Sequence, residues 1–181
     1  MKSGGAIPYF FLSLQQNYKL MPARIESITI SPDSKNLTVV VSGIPTSDAL
    51  TYYNYTTGTT KESGTILSDA NDILTWNTTA TNLEEDLNGV ISITVDNSNG
   101  ISSYAVGTAE IDCCIAGLVE RAITCTCQCD RCDEDLKTAQ KISLLVQGAK
   151  HAAYSPANIT DAINKYNKAK SFCTATCACG C

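Results

Sequence analysis

Cysteine is crowded into two short stretches: Cys125, Cys127, Cys129 and Cys132, and then Cys173, Cys177, Cys179 and Cys181. Eight of the ten cysteines lie in these clusters, and two helical patterns occupy the segment between them. The clusters would bring the outer ends of those helices together, so the last third of the chain reads as clasped. No cysteine precedes Cys113, and the first 112 residues are instead rich in Thr, Ser, Asn, Val and Ile. A β-rich module followed by a helical one accounts for that change.

The β-rich part is organised by alternation. Ile28 and Ile30 share one face, residues 32–36 form a turn, and Leu37, Val39 and Val41 continue on the next strand. A third strand covers about 49–57, with Tyr53 and Tyr55 on one face and Tyr52 on the other. Weaker candidates lie at about 64–68 and 73–77. Ile91, Ile93 and Val95 alternate again, residues 96–100 read as a hairpin turn, and a last strand runs from Ile101 to about Asp112. Short strands with turns at such intervals predict an immunoglobulin-like β-sandwich over 24–112. The Cys and Trp landmarks of antibody domains are missing, so the architecture follows from the strand pattern alone.

Beyond residue 112 the period changes. Ile115, Leu118, Val119, Ala122 and Ile123 make the apolar stripe of a first helix. Asp133 is placed to cap a second, with Leu136, Ala139, Ile142, Leu145, Val146 and Ala149 on its buried face. Residues 155–157 break the chain, and Asn158 with Asp161 opens a third helix whose stripe is Ile159, Ala162, Ile163, Tyr166, Ala169 and Phe172. Lys165, Lys168 and Lys170 lie toward its C-terminus, the favourable sign for the helix dipole. Three helices running up, down and up bring both cysteine clusters to one pole. Cys113 and Cys114 then fall at the other pole, near residues 153–157, and read as buried thiols of the core. The fold class expected is α+β multidomain: an arm over 1–23, the Ig-like sandwich over 24–112, and a small Cys-clasped three-helix domain over 113–181.

Converging thiols admit three chemistries. Cys-x-Cys and Cys-x-x-Cys spacings suit zinc, with Cys125, Cys127, Cys129, Cys132, Cys173, Cys177, Cys179 and Cys181 as the candidate ligands of one or two thiolate sites. Disulfides between the clusters are the alternative and suit the even count. Redox chemistry at Cys129 and Cys132 has the spacing, but lacks a strand-then-helix context. No residue is singled out as catalytic or as binding an organic cofactor. His151, the only histidine, sits at a helix end, where solvation is its ordinary state. No Gly-rich phosphate loop is present, and the acidic stretches 69–72 and 84–86 lack calcium-loop spacing.

Charge and hydropathy narrow the partners. A net charge of −5 with a pI near 4.8 argues against nucleic acid, which selects a basic face. No apolar run approaches the ~18 residues of a membrane span. Residues 6–14 are apolar, but one lysine precedes them, Pro8 interrupts them and no small-residue cleavage site follows. They read as an aromatic arm, with Tyr9, Phe10, Phe11 and Tyr18, that docks on its own domain or a neighbour. The Asn-x-Ser/Thr triplets at Asn36, Asn54, Asn77 and Asn158 carry no function on this reading.

The β module leading into residues 112–120, the Cys-x-Cys-x-Cys-x-x-Cys-Asp-Glu run from Cys125, the Leu-rich helix, the Tyr/Lys helix and the Cys-x-Cys-Gly-Cys end together resemble a known group. They resemble the small virion structural proteins of tailed bacteriophages, crAss-like phages included, over residues 90–181. The resemblance implies a non-enzymatic neck, tail-ring or connector protein, present in symmetric copies and contacting itself and other virion proteins. It implies no small-molecule substrate, and a location in the virion after assembly in the host bacterial cytoplasm. The alternative is a head- or tail-fibre adhesin on which Tyr52, Tyr53, Tyr55 or Trp76 stack host glycans.

Overall fold

The computed structural model describes residues 24–42, 49–56, 58–65, 73–77, 87–95, 101–125 and 130–176. The arm, the acidic stretches and Cys127, Cys129, Cys177, Cys179 and Cys181 lie outside the described residues, as does the side chain of Trp76. The described part is α+β: two small antiparallel sheets and three α-helices.

Alternation builds the first sheet. Strand β2 (Asn36–Ser42) buries Leu37, Val39 and Val41 and leaves the residues between them half-buried. It lies between β1 (Arg24–Ile30) and β5 (Ile73–Asn77). The second sheet has the order β4 (Thr59–Thr65), β3 (Ala49–Asn54), β6 (Gly89–Val95), β7 (Ile101–Gly107). All strand pairs are antiparallel. Leu37, Val39 and Val41 share one core with Tyr52, Leu87, Ile91, Ile93 and Val95, so this core draws on both sheets. Each such aliphatic side chain contributes about 1.5–3 kcal/mol by leaving water.

Strand β6 differs from β2, because six of its seven residues are buried. A strand buried on alternate residues has one covered face, and one buried throughout has two. Ile91, Ile93 and Val95 face the core between the sheets, whereas Val90 belongs to a second core built with the helices. Tyr55, Tyr104 and Val106 pack against that second core. The helices therefore cover the outer face of the second sheet.

The last strand stops at Gly107, and α1 spans Ala109–Thr124, beginning before residue 113, where the helical part was expected. Local chemistry explains the early start. Thr108 donates its hydroxyl to Asp112 Oδ2 at 2.6 Å, and Glu110 and Asp112 place negative charge in the first turn. Two first-turn amides find acceptors on the β side. Ala109 N–H donates to Ser34 Oγ at 3.3 Å and Glu110 N–H to Asn88 Oδ1 at 3.0 Å. Ser34 is buried, at φ 54°, in the turn between β1 and β2, and its carbonyl accepts from Leu87 N–H at 2.6 Å. Gly107 completes the junction: a Cβ there would lie 1.9 Å from the Leu87 carbonyl oxygen. Asn54, also buried, donates to the Asn88 carbonyl at 3.0 Å and accepts from Thr56 N–H at 2.8 Å.

Helix α2 (Asp130–Ala153) returns antiparallel to α1. A 3-10 turn at Pro156–Asn158 then leads into α3 (Ile159–Thr176). Ala139, Ile142, Val146, Ala149, Ala162, Tyr166 and Ala169 are buried as their periodicity requires, while Leu136 is 46 % exposed. Of the stripe expected on α1, Leu118 is buried and Ile115 and Val119 pack half-buried against the same core. Ile111, Cys114 and Leu118 are buried, and Ile123 is 76 % exposed. No described helix is long and apolar enough to cross a membrane.

Candidate functional site

The clasp is built at the turn end of the α1–α2 hairpin. Cys125 follows the last residue of α1 in extended conformation, and Cys132 lies in the first turn of α2. The two are joined by a disulfide with 6.2 Å between their Cα atoms. One turn inward, Arg121 pairs with Asp135 at 3.3 Å. Thr124 donates its hydroxyl back to the Glu120 carbonyl at 2.9 Å, one turn earlier in its own helix.

This bond corrects two expectations. The bond fits the disulfide alternative, but within one cluster rather than between the two, and Cys125 and Cys132 bonded in this way are not thiolate ligands. Cys132 is likewise bonded to Cys125 rather than forming a Cys129–Cys132 redox couple. Among the described residues no group of three or more His, Cys, Asp or Glu side chains is placed to hold a metal ion. Cys173 is buried in the helical core beside α1. Of the Cys113–Cys114 pair, Cys114 is a core residue as expected, but Cys113 is disulfide-bonded.

The expected position of that pair is corrected too. Helix α1 has 16 residues and α2 has 24, about 24 Å against about 36 Å. Starting from the shared clasp, α1 ends well short of the 153–157 turn. Its first turn lies instead beside the C-terminal half of α3, where Lys170 reaches Glu110 at 3.0 Å. Tyr166, fully buried beneath this contact, has a hydroxyl with no hydrogen-bond partner among the described residues. Burial, and then Glu110, Cys173 and Asp112, push its pKa well above the ordinary tyrosine value.

Of the aromatic platform of the adhesin reading, Tyr52 is buried and Tyr53 and Tyr55 are half-buried. Tyr52 is 2 % exposed in the core between the sheets. Tyr55 packs edge-on to Tyr53 with ring centroids 4.6 Å apart, and lies 6.4 Å from Tyr104 under the helices. His151 is exposed in the last turn of α2.

What sequence reasoning missed is on the outside of the hairpin. Because α1 faces inward through Ile111, Cys114 and Leu118, the other apolar stripe, Ile115, Val119 and Ile123, lines an open groove with Asp112 and Glu120 on its rim. A second groove on α2 is lined by Lys137, Gln140, Lys141, Leu144 and Leu145. Leu144 is 61 % exposed, and Lys141 Nζ stands 4.2 Å from the centre of the Phe172 ring. The available signal was the width of the α1 stripe, which with Ile111 and Cys114 is too broad for one buried face. No protein-family model matches this chain, and no curated protein matches it.

Proposed function

We propose that this chain is a non-enzymatic structural component of a tailed-phage virion, a neck, tail-ring or connector protein that contacts copies of itself and other virion proteins. The observation that carries the reading is the α1–α2 hairpin. It is stapled at its turn and seated on the sheet, yet it holds Ile123 and Leu144 mostly in solvent. Large apolar side chains displayed on a rigid frame suit a surface that another subunit covers.

The strand order supports the finer architecture. The first, second and fifth strands in one sheet and the fourth, third, sixth and seventh in the other match an immunoglobulin-like sandwich, here with a helical layer on its outer face. Such a sandwich offers edge strands for pairing between subunits. On this reading the cysteine-rich end is a disulfide clasp that stiffens the helical layer for assembly.

The test is antibody labelling of purified tailed-phage particles viewed by electron microscopy. Label at the neck or tail is expected, and particles that carry none of the chain would remove the proposal.

A further inference from the structure

The two grooves of the helical layer differ in sign. The groove along α1 is apolar along Ile115, Val119 and Ile123 and carries the acids Asp112 and Glu120, with no basic residue in its lining among the described residues. The groove on α2 is apolar through Leu144 and Leu145 and carries Lys137 and Lys141, with no acid among the described residues that line it. Each offers what the other needs: aliphatic surface to exclude water, and charge of opposite sign around it. Neither groove can pair with its own kind without placing like charges together.

We propose that the occupant of the acidic α1 groove is the basic α2 face of a second copy of this chain. The contact joins two different patches, so successive copies add with one relative orientation, and a rotation that closes gives a ring. This deepens the ring-subunit reading and rests on it for the closed arrangement, whereas the pairwise contact follows from the two grooves alone. Burying Ile123 and Leu144 supplies the drive, and the acid–lysine pairing sets the register. Salt is therefore expected to weaken the contact by screening its rim.

The experiment is a charge exchange followed by sedimentation velocity on the full chain. One variant carries Asp112→Asn with Glu120→Lys, the other Lys137→Glu with Lys141→Glu. The wild-type chain is expected to self-associate at or below about 100 μM, and each variant to do so at least about tenfold more weakly. An equimolar mixture of the two variants is expected to recover association, because every groove again meets its opposite. Ile123→Ser, on a side chain already in solvent, is expected to weaken association without lowering the melting temperature, which separates contact loss from misfolding. A wild-type chain monomeric at that concentration, variants that associate as wild type does, or a mixture that stays dissociated would each overturn the contact. If exchange behaves as expected but particles lack the chain, the virion reading fails and the contact stands. If particles contain the chain but exchange has no effect, the contact fails alone.

Discussion

Removing the staple at the hairpin tip has a calculable cost. Cys125 and Cys132 are seven positions apart, so their bond closes a loop of about eight residues, and the loop-entropy relation gives about 2.5 kcal/mol of stabilisation at 25 °C. In a domain of this length that corresponds to about 5–10 °C in melting temperature. The variant to make is Cys125→Ala with Cys132→Ala, because either single change leaves a thiol that can mispair. Calorimetry without reductant should show the drop. Hydrogen exchange should place the added opening at the end of α1 and the start of α2, leaving β6, buried on both faces, protected. Reductant should lower the wild-type melting temperature by at least as much, since the Cys113 disulfide is reduced as well. It should then lower the double variant further. A double variant that melts with the wild type, or a wild type indifferent to reductant, would refute the reasoning.

The remaining expectations test the junction, the helical core and the metal alternative. Gly107→Ala forces a Cβ against the Leu87 carbonyl and should cost about 3 kcal/mol or more in denaturant titration, whereas Gly117→Ala, with open space around it, should be neutral or slightly stabilising. Asn88→Ala removes the acceptor of Glu110 N–H and should cost about 1 kcal/mol. Tyr166→Phe removes a buried hydroxyl that has no hydrogen-bond partner among the described residues and should raise stability at pH 7 by about 1 kcal/mol. The pH dependence has a definite sign: the folded pKa of Tyr166 is raised, so the unfolded chain loses its proton first. Stability is fully present below pH of about 10 and declines above it, by up to about 1.4 kcal/mol per pH unit for this site. The wild type should lose more stability above that pH than Tyr166→Phe does. A chelator should leave the melting temperature within about 1 °C, because a disulfide, unlike a structural zinc, has no metal to lose. A large drop with chelator and none with reductant would restore the zinc reading.

What the sequence disclosed follows from where one period dominates. The alternation of Leu37, Val39 and Val41 and the α3 stripe ending at Phe172 each present one inward face, and both were legible. Helix α1 was legible only in part, because apolar residues occupy more than one face. Periodicity cannot choose between Ile111–Cys114–Leu118 and Ile115–Val119–Ile123, whereas packing against α2 can. The boundary at residue 113 missed the helix start because the acceptors of the first-turn amides, Ser34 and Asn88, lie 75 and 22 residues away. Local pattern carries no trace of such distant caps. The disulfide alternative placed bonds between the two clusters, whereas the bond seen joins Cys125 to Cys132 within the first, because spacing alone does not say which sulfurs the helix ends bring together. The placing of Cys113 failed on helix length, since α1 is eight residues shorter than α2.

The most direct test of the central claim is a copy count of this chain in purified tailed-phage particles, by quantitative mass spectrometry against the major capsid protein. A structural ring or connector component is expected at a fixed whole number of copies per particle, unchanged between preparations and retained after high-salt washing. Absence from the particles, or trace amounts that vary between preparations and wash away, would contradict the account.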